Sequence, residues 1–243
     1  MSTNEPKYHL LVLGDSLSFH GPNGPHAADE PRLWPNVAAR ELGARVELVA
    51  GFGWTARDVW WALIGDPRLW ALLHHVDAVV FAVGGMDSLP SPLPTYLRTG
   101  LRYVRPDGLR RRLRAGYLAA QPWLARAFHG RPLVLPARLT EQYLDTALGA
   151  LRVLRPGMPA VGWRPAVHRA ATYGYVHNGY RATERAIARW SVKHDVPLVD
   201  IPALTAEHVL AGEGNEDGMH WGWSAHRAVG GAVAARLARL LGD

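Results

Sequence analysis

The fold is decided near the start of the chain by residues 8–18, which read YHLLVLGDSLS. The apolar run from Tyr8 to Leu13 has the length and composition of a buried β-strand. The polar turn that follows it brings the hydroxyl of Ser16 to the carboxyl end of that strand. Open α/β folds place their ligands at this edge of the sheet. We therefore expect the functional site to lie around Ser16.

Further elements of the same kind follow along the chain. Apolar runs of strand length occupy residues 45–50, 76–83, 158–162 and 196–199. Segments with helical spacing occupy residues 33–42, 56–64, 142–154, 183–194 and 224–241, and Ser224 is a candidate N-cap for the last of them. Strands that alternate with helices predict a parallel, doubly wound sheet. The expected architecture is a three-layer α/β/α sandwich in a single domain, residues 1–243.

Composition narrows the class of protein. The chain has 243 residues, of which 48% are hydrophobic and 20% charged, enough for one sizeable core. It has no cysteine, which excludes disulfides, thiolate zinc sites and a cysteine nucleophile. Residues 1–7 lack the apolar core of a signal peptide, and no window approaches the length of a transmembrane helix. These features predict a cytoplasmic protein without integral membrane association.

Positive charge is concentrated in one segment. Residues 97–138 contain ten arginines and a single acid, Asp107, so this segment carries +9 and the remainder of the chain −3. Guanidinium groups attract phosphates and carboxylates, although a nucleic-acid or membrane footprint and a merely solvated face are alternatives. Prolines 90, 92 and 94 interrupt the regular alternation. We interpret residues 88–136 as an Arg-rich helical insertion over the carboxyl edge, a candidate lid or acceptor-binding subdomain. The arginines assigned to substrate binding are Arg102, Arg105 and Arg138.

A carboxylate and an imidazole lie three residues apart near the other end of the chain, as Asp217 and His220. If one ring nitrogen of His220 faces an acceptor, the other can take the proton of Ser16, and Asp217 is the candidate acceptor. The alternatives are a helix-capping Ser16, a structural His220 and an Asp217 that serves only the turn. His226 is a competing base, although we expect it to be a surface or capping residue.

The remaining sequence patterns give weaker indications of function. The pair Gly51 and Gly53 lacks the third glycine of a dinucleotide-binding loop and does not follow the first strand. No set of histidines and carboxylates has a metal-ligand spacing, so neither a metal nor a cofactor is expected. Trp54 and Trp221 are neighbours of the predicted site residues, and their aromatic faces suit a sugar ring or an aliphatic acyl chain.

Four short blocks together resemble those of the SGNH (GDSL) hydrolases. They are Gly14–Ser18, Gly51–Thr55, Gly84–Asp87 and Asp217–His220, and their order and spacing match that family across nearly the whole chain. The resemblance implies a flavodoxin-like three-layer sandwich. It also implies a role for each matched residue: Ser16 as nucleophile, His220 as base, Asp217 as orienting acid, and the backbone N–H groups of Ser16 and Gly53 as oxyanion donors.

One position departs from that family. The third block usually reads Gly-x-Asn-Asp, and the asparagine donates a hydrogen bond to the oxyanion, but here Met86 stands in its place and has no donor. Three explanations are open. Another group can donate the hydrogen bond in place of the asparagine, the enzyme can tolerate a slower step, or the site can be degenerate. Within the blocks and beside them, Asp15, Trp54, Met86, Asp87 and Trp221 are expected near the substrate.

The start of the chain, GDSLSFHGP at residues 14–22, and the Ala/Arg/Trp-rich composition resemble one mycobacterial acyltransferase branch of the same family. This similarity implies transfer of an octanoyl group from acyl-CoA, a co-substrate, to a glucosyl hydroxyl of the anionic sugar diglucosylglycerate, in the synthesis of methylglucose lipopolysaccharides. The alternatives are an esterase, thioesterase or carbohydrate deacetylase that uses water. A non-catalytic module that binds carbohydrate or nucleic acid is a third class, although we expect no nucleic-acid partner.

Overall fold

The computed structural model describes residues 6–93, 97 and 100–242. Its strands are β1 (Tyr8–Asp15), β2 (His20–Gly21), β3 (Gly24–Pro25), β4 (Ala44–Gly51), β5 (Ala78–Ala82), β6 (Ala160–Trp163) and β7 (Leu198–Val199). Five of them form one parallel sheet in the order β4-β1-β5-β6-β7, and β2 pairs with β3 as a small antiparallel hairpin. In chain order the large sheet runs 2-1-3-4-5, which confirms the predicted flavodoxin-like sheet.

Helices cover both faces of the sheet. Those in the described residues are α1 (Trp34–Leu42), α2 (Ala56–Gly65), α3 (Pro67–Leu72), α4 (Asp107–Ala127), α5 (Ala137–Leu154), α6 (Tyr180–His194), α7 (Ile201–Ala211) and α8 (Trp223–Leu241). Buried side chains of α1, α7 and α8 form one core with the sheet. Those of α2, α3, α5 and α6 form a second core on the opposite face. The predicted three-layer sandwich is therefore confirmed.

Strand β1 shows why the sequence takes this form. Leu10 and Val12 join the first core, whereas Leu11 and Leu13 join the second, because successive side chains of a strand point to opposite faces. A central strand covered on both faces needs the continuous apolar run that the sequence provides. Ser16 follows directly, at the point where the next two strands of the large sheet, β4 and β5, pair on opposite sides of β1.

The arginine-rich segment begins and ends at neighbouring positions, outside the strands of the sheet. Pro90 and Leu133 form an antiparallel bridge, Ser91 N–H donates to the carbonyl of Pro132 at 2.8 Å, and Val134 N–H donates to that of Leu89 at 2.9 Å. Helix α4 lies between these ends. The interpretation of residues 88–136 as a lid stays a prediction. Pro94 and Arg98, which contributed to it, lie outside the described residues.

The predicted N-cap of the last helix is wrong. Helix α8 begins at Trp223 with Gly222 in the N-cap position, so Ser224 lies inside the first turn and does not cap the helix.

Within the part of the chain that the structure describes, no helix combines the length and apolar character that crossing a membrane requires.

Candidate active site

The fold brings together three side chains that are far apart in sequence. The Oγ atom of Ser16 lies 2.9 Å from Nε2 of His220, and Nδ1 of His220 lies 2.5 Å from Oδ2 of Asp217. Ser16 begins a short 3₁₀ turn immediately after β1, and the carboxylate of Asp15 fixes that turn by accepting the N–H of Leu17 at 2.9 Å. A hydroxyl, an imidazole and a carboxylate are thus hydrogen-bonded in series, as proton transfer from Ser16 requires.

The loop that carries Asp217 and His220 is held in shape by its own backbone. Oδ1 of Asp217 accepts the N–H groups of Met219 at 2.8 Å and of His220 at 3.0 Å. Gly218 has a φ of +70°, and a Cβ atom there would lie 2.4 Å from the carbonyl oxygen of Arg169. Glycine is therefore required at this position, because other residues would meet both backbone strain and a steric clash. The N–H of Arg169 donates to Gly218 at 2.7 Å and anchors the turn.

The charge of Asp217 sets the proton arrangement. Burial would raise the pKa of this carboxyl, but hydrogen bonds from the His220 ring and from the backbone of His220 and Met219 hold its pKa well below the usual range. Asp217 is thus ionised at neutral pH and accepts a hydrogen bond from the N–H at Nδ1 of His220. The neutral ring then has an unprotonated Nε2 that faces the hydroxyl of Ser16.

His20 is part of the site, although sequence reasoning missed it. Its ring stacks on that of His220 with 3.7 Å between centroids and 14° between planes. Nδ1 of His20 lies 3.0 Å from the carbonyl oxygen of Gly21 and donates to it. Burial, followed by the nearby His220, lowers the pKa of His20. The available signal was its position four residues after Ser16, but only the β2–β3 hairpin turns the ring onto His220.

Asn215 joins this hairpin to the Asp217–His220 loop, and no sequence pattern indicated it. Its side chain accepts the N–H of Asn23 at 2.9 Å and donates to the carbonyl of Gly21 at 3.1 Å. Its backbone N–H donates to the carbonyl of His220 at 3.0 Å. One residue therefore positions both segments that hold the two stacked imidazoles.

Met86 lies where the family places its asparagine. Gly53, with a φ of +68°, belongs to a turn in which Trp54 N–H donates to the carbonyl of Gly51 at 3.3 Å. A Cβ atom on Gly53 would lie 3.6 Å from the terminal methyl of Met86. The thioether side chain thus fills the space beside Gly53 without offering a donor. The oxyanion roles of Gly53 and Ser16 stay predictions.

A small pocket opens beside the Ser16 hydroxyl and is called the Ser16 pocket below. Its lining residues are Asp15, Ser16, Leu17, Gly85, Met86, Leu89, Ala166, Val167, His168, Met219 and His220. Most of these side chains are apolar. Its free volume is only about 20 Å³, so in this structure the pocket has room for no more than a water-sized group beside the nucleophile.

The two aspartates assigned to substrate have different positions. Asp15 lines the Ser16 pocket and is almost fully buried, and burial together with the nearby Asp87 raises its pKa to about 7 despite the bond from Leu17. Asp87 is completely buried and accepts hydrogen bonds from Ala56 N–H at 3.3 Å and Thr140 Oγ1 at 2.9 Å. These bonds tie the third block to α2 and α5. The prediction that Asp87 contacts substrate is corrected, because no part of it is accessible.

Neither tryptophan assigned to substrate faces the pocket. Trp221 is completely buried, with its ring 5.9 Å from that of Trp163 and 5.7 Å from that of His226. Trp54 folds back over Gly51, where a Cβ atom would lie 2.1 Å from the indole Nε1, and packs against the core beneath α2. The prediction for Trp221 is corrected, because its side chain is inaccessible and stabilises the fold next to the site. Trp54 is only partly buried, and its contact with substrate stays a prediction.

His226 is excluded as the competing base. It is completely buried, not a surface residue as expected. Its Nδ1 accepts the N–H of Trp34 at 3.2 Å, and its Nε2 lies 3.1 Å from the carbonyl of His20 and donates to it. Burial lowers its pKa to about 4, despite the bond to His20. Both ring nitrogens are occupied by backbone groups, so His226 connects α8 to α1 and to the hairpin.

The arginines assigned to substrate separate into two groups. Arg102 lines a large cavity beside α4 together with other arginines. Arg105 has a side chain 70% exposed and 3.9 Å from Asp107, and Arg138 is exposed in the first turn of α5. Neither lines that cavity, so the structure supports only the first of the three assignments.

Potential metal ligands overlap the residues already described. Among the described residues, His20, Asp217 and His220 could offer ligand atoms within 4.8 Å of one another. Nδ1 of His220 already faces Asp217, and its Nε2 faces Ser16. Both ring nitrogens of His220 therefore already have the hydrogen-bond partners that proton transfer from Ser16 requires. The expectation of a site without a metal stays a prediction.

Comparison with known proteins gives close relatives. No protein-family model matches the chain. The chain is 50% identical over 229 residues to the diglucosylglycerate octanoyltransferase of Mycobacterium tuberculosis, covering 94% of this chain and 92% of the relative. It is 51% identical over 229 residues to the enzyme of the same name from Mycolicibacterium hassiacum, covering 94% of each.

Solved structures show the same fold at low identity. A lipase/acylhydrolase from Enterococcus faecalis superposes with a TM-score of 0.63 and 11% identity, covering 95% of both chains. A putative lipolytic protein of the G-D-S-L family from Desulfitobacterium hafniense superposes with a TM-score of 0.59 and 12% identity, covering 94% of this chain and 98% of the other. These similarities confirm the predicted SGNH hydrolase fold.

Proposed function

The chain belongs to the family of the diglucosylglycerate octanoyltransferases and is an acyltransferase, and from this premise we propose that it moves an octanoyl group from octanoyl-CoA to a glucosyl hydroxyl of diglucosylglycerate through an acyl-enzyme on Ser16. The observation that carries the proposal is the series of hydrogen bonds from Ser16 Oγ through His220 to Asp217, at 2.9 and 2.5 Å. Such a series activates a hydroxyl for covalent acyl transfer.

In the first half of the reaction, Nε2 of His220 takes the hydroxyl proton while Ser16 Oγ attacks the thioester carbonyl. The C–S bond then breaks, and the protonated His220 returns its proton to the departing CoA thiolate. Ionised Asp217 stabilises the imidazolium that forms between these two events. The products of this half are octanoyl-Ser16 and free CoA.

In the second half, a glucosyl hydroxyl takes the place of the thiol. His220 removes its proton as the sugar oxygen attacks the octanoyl carbonyl, and the Ser16–acyl bond breaks. The proton then returns from His220 to Ser16 Oγ. Water can carry out the same step, so transfer requires that the acyl-enzyme meets the sugar more readily than water. The apolar lining from Leu17, Met86, Leu89 and Met219 supports such exclusion of water.

The oxyanion is held by backbone donors in this proposal. The N–H groups of Ser16 and Gly53 are the candidates, and Met86 contributes an apolar contact where the family has an amide. Loss of one oxyanion donor typically costs about 100- to 1,000-fold in rate. The proposed setting is the cytoplasm, where acyl-CoA is available, and the product enters methylglucose lipopolysaccharide synthesis.

The test is an acyl-transfer assay read by mass spectrometry. Purified protein is incubated with octanoyl-CoA, with and without diglucosylglycerate, and octanoyl-sugar, free octanoate and the Ser16 peptide are quantified. We expect octanoylated sugar when the acceptor is present, and an acylated Ser16 peptide when it is omitted. Equal release of free octanoate with and without acceptor would instead identify a hydrolase, the activity of the solved structures that share the fold.

A further inference from the structure

A second cavity, of about 560 Å³, lies beside helix α4 and is called the arginine cavity below. We infer that it binds the nucleotide end of the CoA thioester, a 3′-phosphorylated ADP group. Its lining residues are Leu101, Arg102, Arg110, Arg111, Arg114, Tyr117, Leu118, Gln121, Thr172 and Tyr173. The volume lies within the range of sites for small ligands and cofactors. The inference rests on the proposed donor and adds the site that recognises it.

The charge of the cavity favours an anion with several negative groups. Four guanidinium groups line it, and the nearby acid Asp107 lies 3.2 Å from Arg110. Arg111 and Arg114 have no ion-pair partner among the described residues. Arginines held together in this way repel one another until an anion binds, and guanidinium groups bind phosphates in bidentate geometry.

The number of guanidinium groups separates the two anionic candidates of the proposed reaction. The acceptor carries one carboxylate on its glycerate, which a single arginine can pair. The nucleotide end of CoA carries a diphosphate and a 3′-phosphate, which together match several arginines. The cavity also presents the rings of Tyr117 and Tyr173, and aromatic side chains stack with purine bases. We therefore assign the cavity to the nucleotide.

The cavity adjoins the Ser16 pocket through Tyr173. This residue lines the arginine cavity and also packs against the cluster formed by Met86, Leu89 and Val134. Met86 and Leu89 in turn line the Ser16 pocket. Tyr173 therefore contacts both the basic cavity and residues that line the apolar pocket of the nucleophile. A molecule with phosphates at one end and a fatty acyl thioester at the other fits this sequence of environments.

The test compares two thioesters in arginine variants. Octanoyl-CoA carries the nucleotide, whereas octanoyl-N-acetylcysteamine carries the same thioester without it. We expect Arg111→Ala and Arg114→Ala each to raise the KM for octanoyl-CoA roughly 10- to 100-fold, the effect of losing a charge-assisted hydrogen bond. The KM for octanoyl-N-acetylcysteamine should not change. Arg112→Ala is the matched control, because it removes one exposed arginine of α4 that does not line the cavity, and it should leave both constants within about twofold.

Binding of adenosine 3′,5′-bisphosphate, measured by calorimetry, gives a readout that does not depend on turnover. The wild-type protein and Arg112→Ala should bind it, and the double variant Arg111→Ala/Arg114→Ala should not. An equal loss with both thioesters would show a structural role, and a raised KM for the sugar alone would place the glycerate carboxylate here. Either result overturns the inference. Failure of the proposed function is distinct, since the wild-type protein would then transfer no octanoyl group from either thioester.

Discussion

The carboxyl edge of the sheet and the arginine-rich insertion are built in opposite ways. At the sheet edge, both ring nitrogens of His220 have partners, and Asp217 receives three hydrogen bonds. In the insertion, the 21-residue helix α4 buries only Gln121 and Ala125. A side chain fixed from every direction can position a reacting atom, whereas exposed guanidinium groups can capture a charged ligand. We therefore expect changes at the edge to affect kcat and changes in the insertion to affect the KM of one substrate.

The strongest test of this contrast is Ser16→Ala. Removal of the nucleophile should lower kcat by about 10⁴-fold or more, as in other serine enzymes of this type. Ser18→Ala is the matched control, because it removes a buried hydroxyl two residues away that has no hydrogen-bond partner among the described residues. Ser18→Ala should keep near-normal turnover in the same acyl-transfer assay. Comparable losses in both variants would show that the turn, and not the Ser16 hydroxyl, matters.

Asp217→Asn should have the next largest effect. An amide at this position can donate to Nδ1 of His220 and favour the wrong tautomer, which costs about 10³- to 10⁴-fold in kcat in a comparable triad. The exposed neighbouring substitution Glu216→Gln should leave kcat unchanged. Both variants are measured at saturating octanoyl-CoA and acceptor. A normal kcat in Asp217→Asn would show that the Asp217 carboxylate is not needed to orient His220.

Asp87 provides a test through stability. Burial raises its pKa to about 6 even though Thr140 and Ala56 donate hydrogen bonds to it. The folded state therefore binds a proton more tightly than the unfolded chain. The stabilisation is complete below the unfolded pKa of about 4 and is lost as the pH rises through about 6. A shift of about two pKa units corresponds to roughly 3 kcal/mol in the free energy of unfolding.

Asp87→Asn should flatten this dependence, because an amide keeps an acceptor oxygen but does not titrate. Urea unfolding between pH 4 and 7 measures the change. Asp107→Asn, in the insertion, is the control, since its side chain is 63% exposed; its curve should overlay that of the wild type. The contribution of Asp87 is the difference between the wild-type and Asp87→Asn curves, because other groups titrate over the same interval. A difference that stays constant between pH 4 and 7, or that changes in the opposite direction, would contradict the expected sign for Asp87.

The smallest expected effect at the sheet edge is that of His20. Its ring covers one face of His220, so His20→Ala should lower kcat about 10- to 100-fold through misplacement of the base, with little change in KM. His20→Phe keeps an aromatic face and leaves the backbone carbonyl that His226 contacts. It should restore most of the activity. Failure of Phe to restore it, with the fold intact by circular dichroism, would assign His20 a role beyond stacking.

The sheet could be predicted because the apolar residues of each strand by themselves indicate that the strand is buried. Leu10 to Leu13 indicate a two-sided core from composition alone, and the block that contains Ser16 must then lie at the carboxyl edge. Trp221 and His226 were misjudged for a different reason. Their burial depends on α8 packing against α1 and the hairpin, which no local pattern encodes. The stacking of His20 and the bridging by Asn215 likewise depend on two distant segments meeting.

The bridge between Pro90 and Leu133 has a consequence for protein engineering. Because the segment between these two residues begins and ends side by side, its length can change without altering the spacing of the strands. Segments of other sequence can be joined at the same two positions, as surface insertions generally can where the ends are close. An exchanged segment of this kind leaves in place the strand and the loops that carry Ser16, Asp217 and His220.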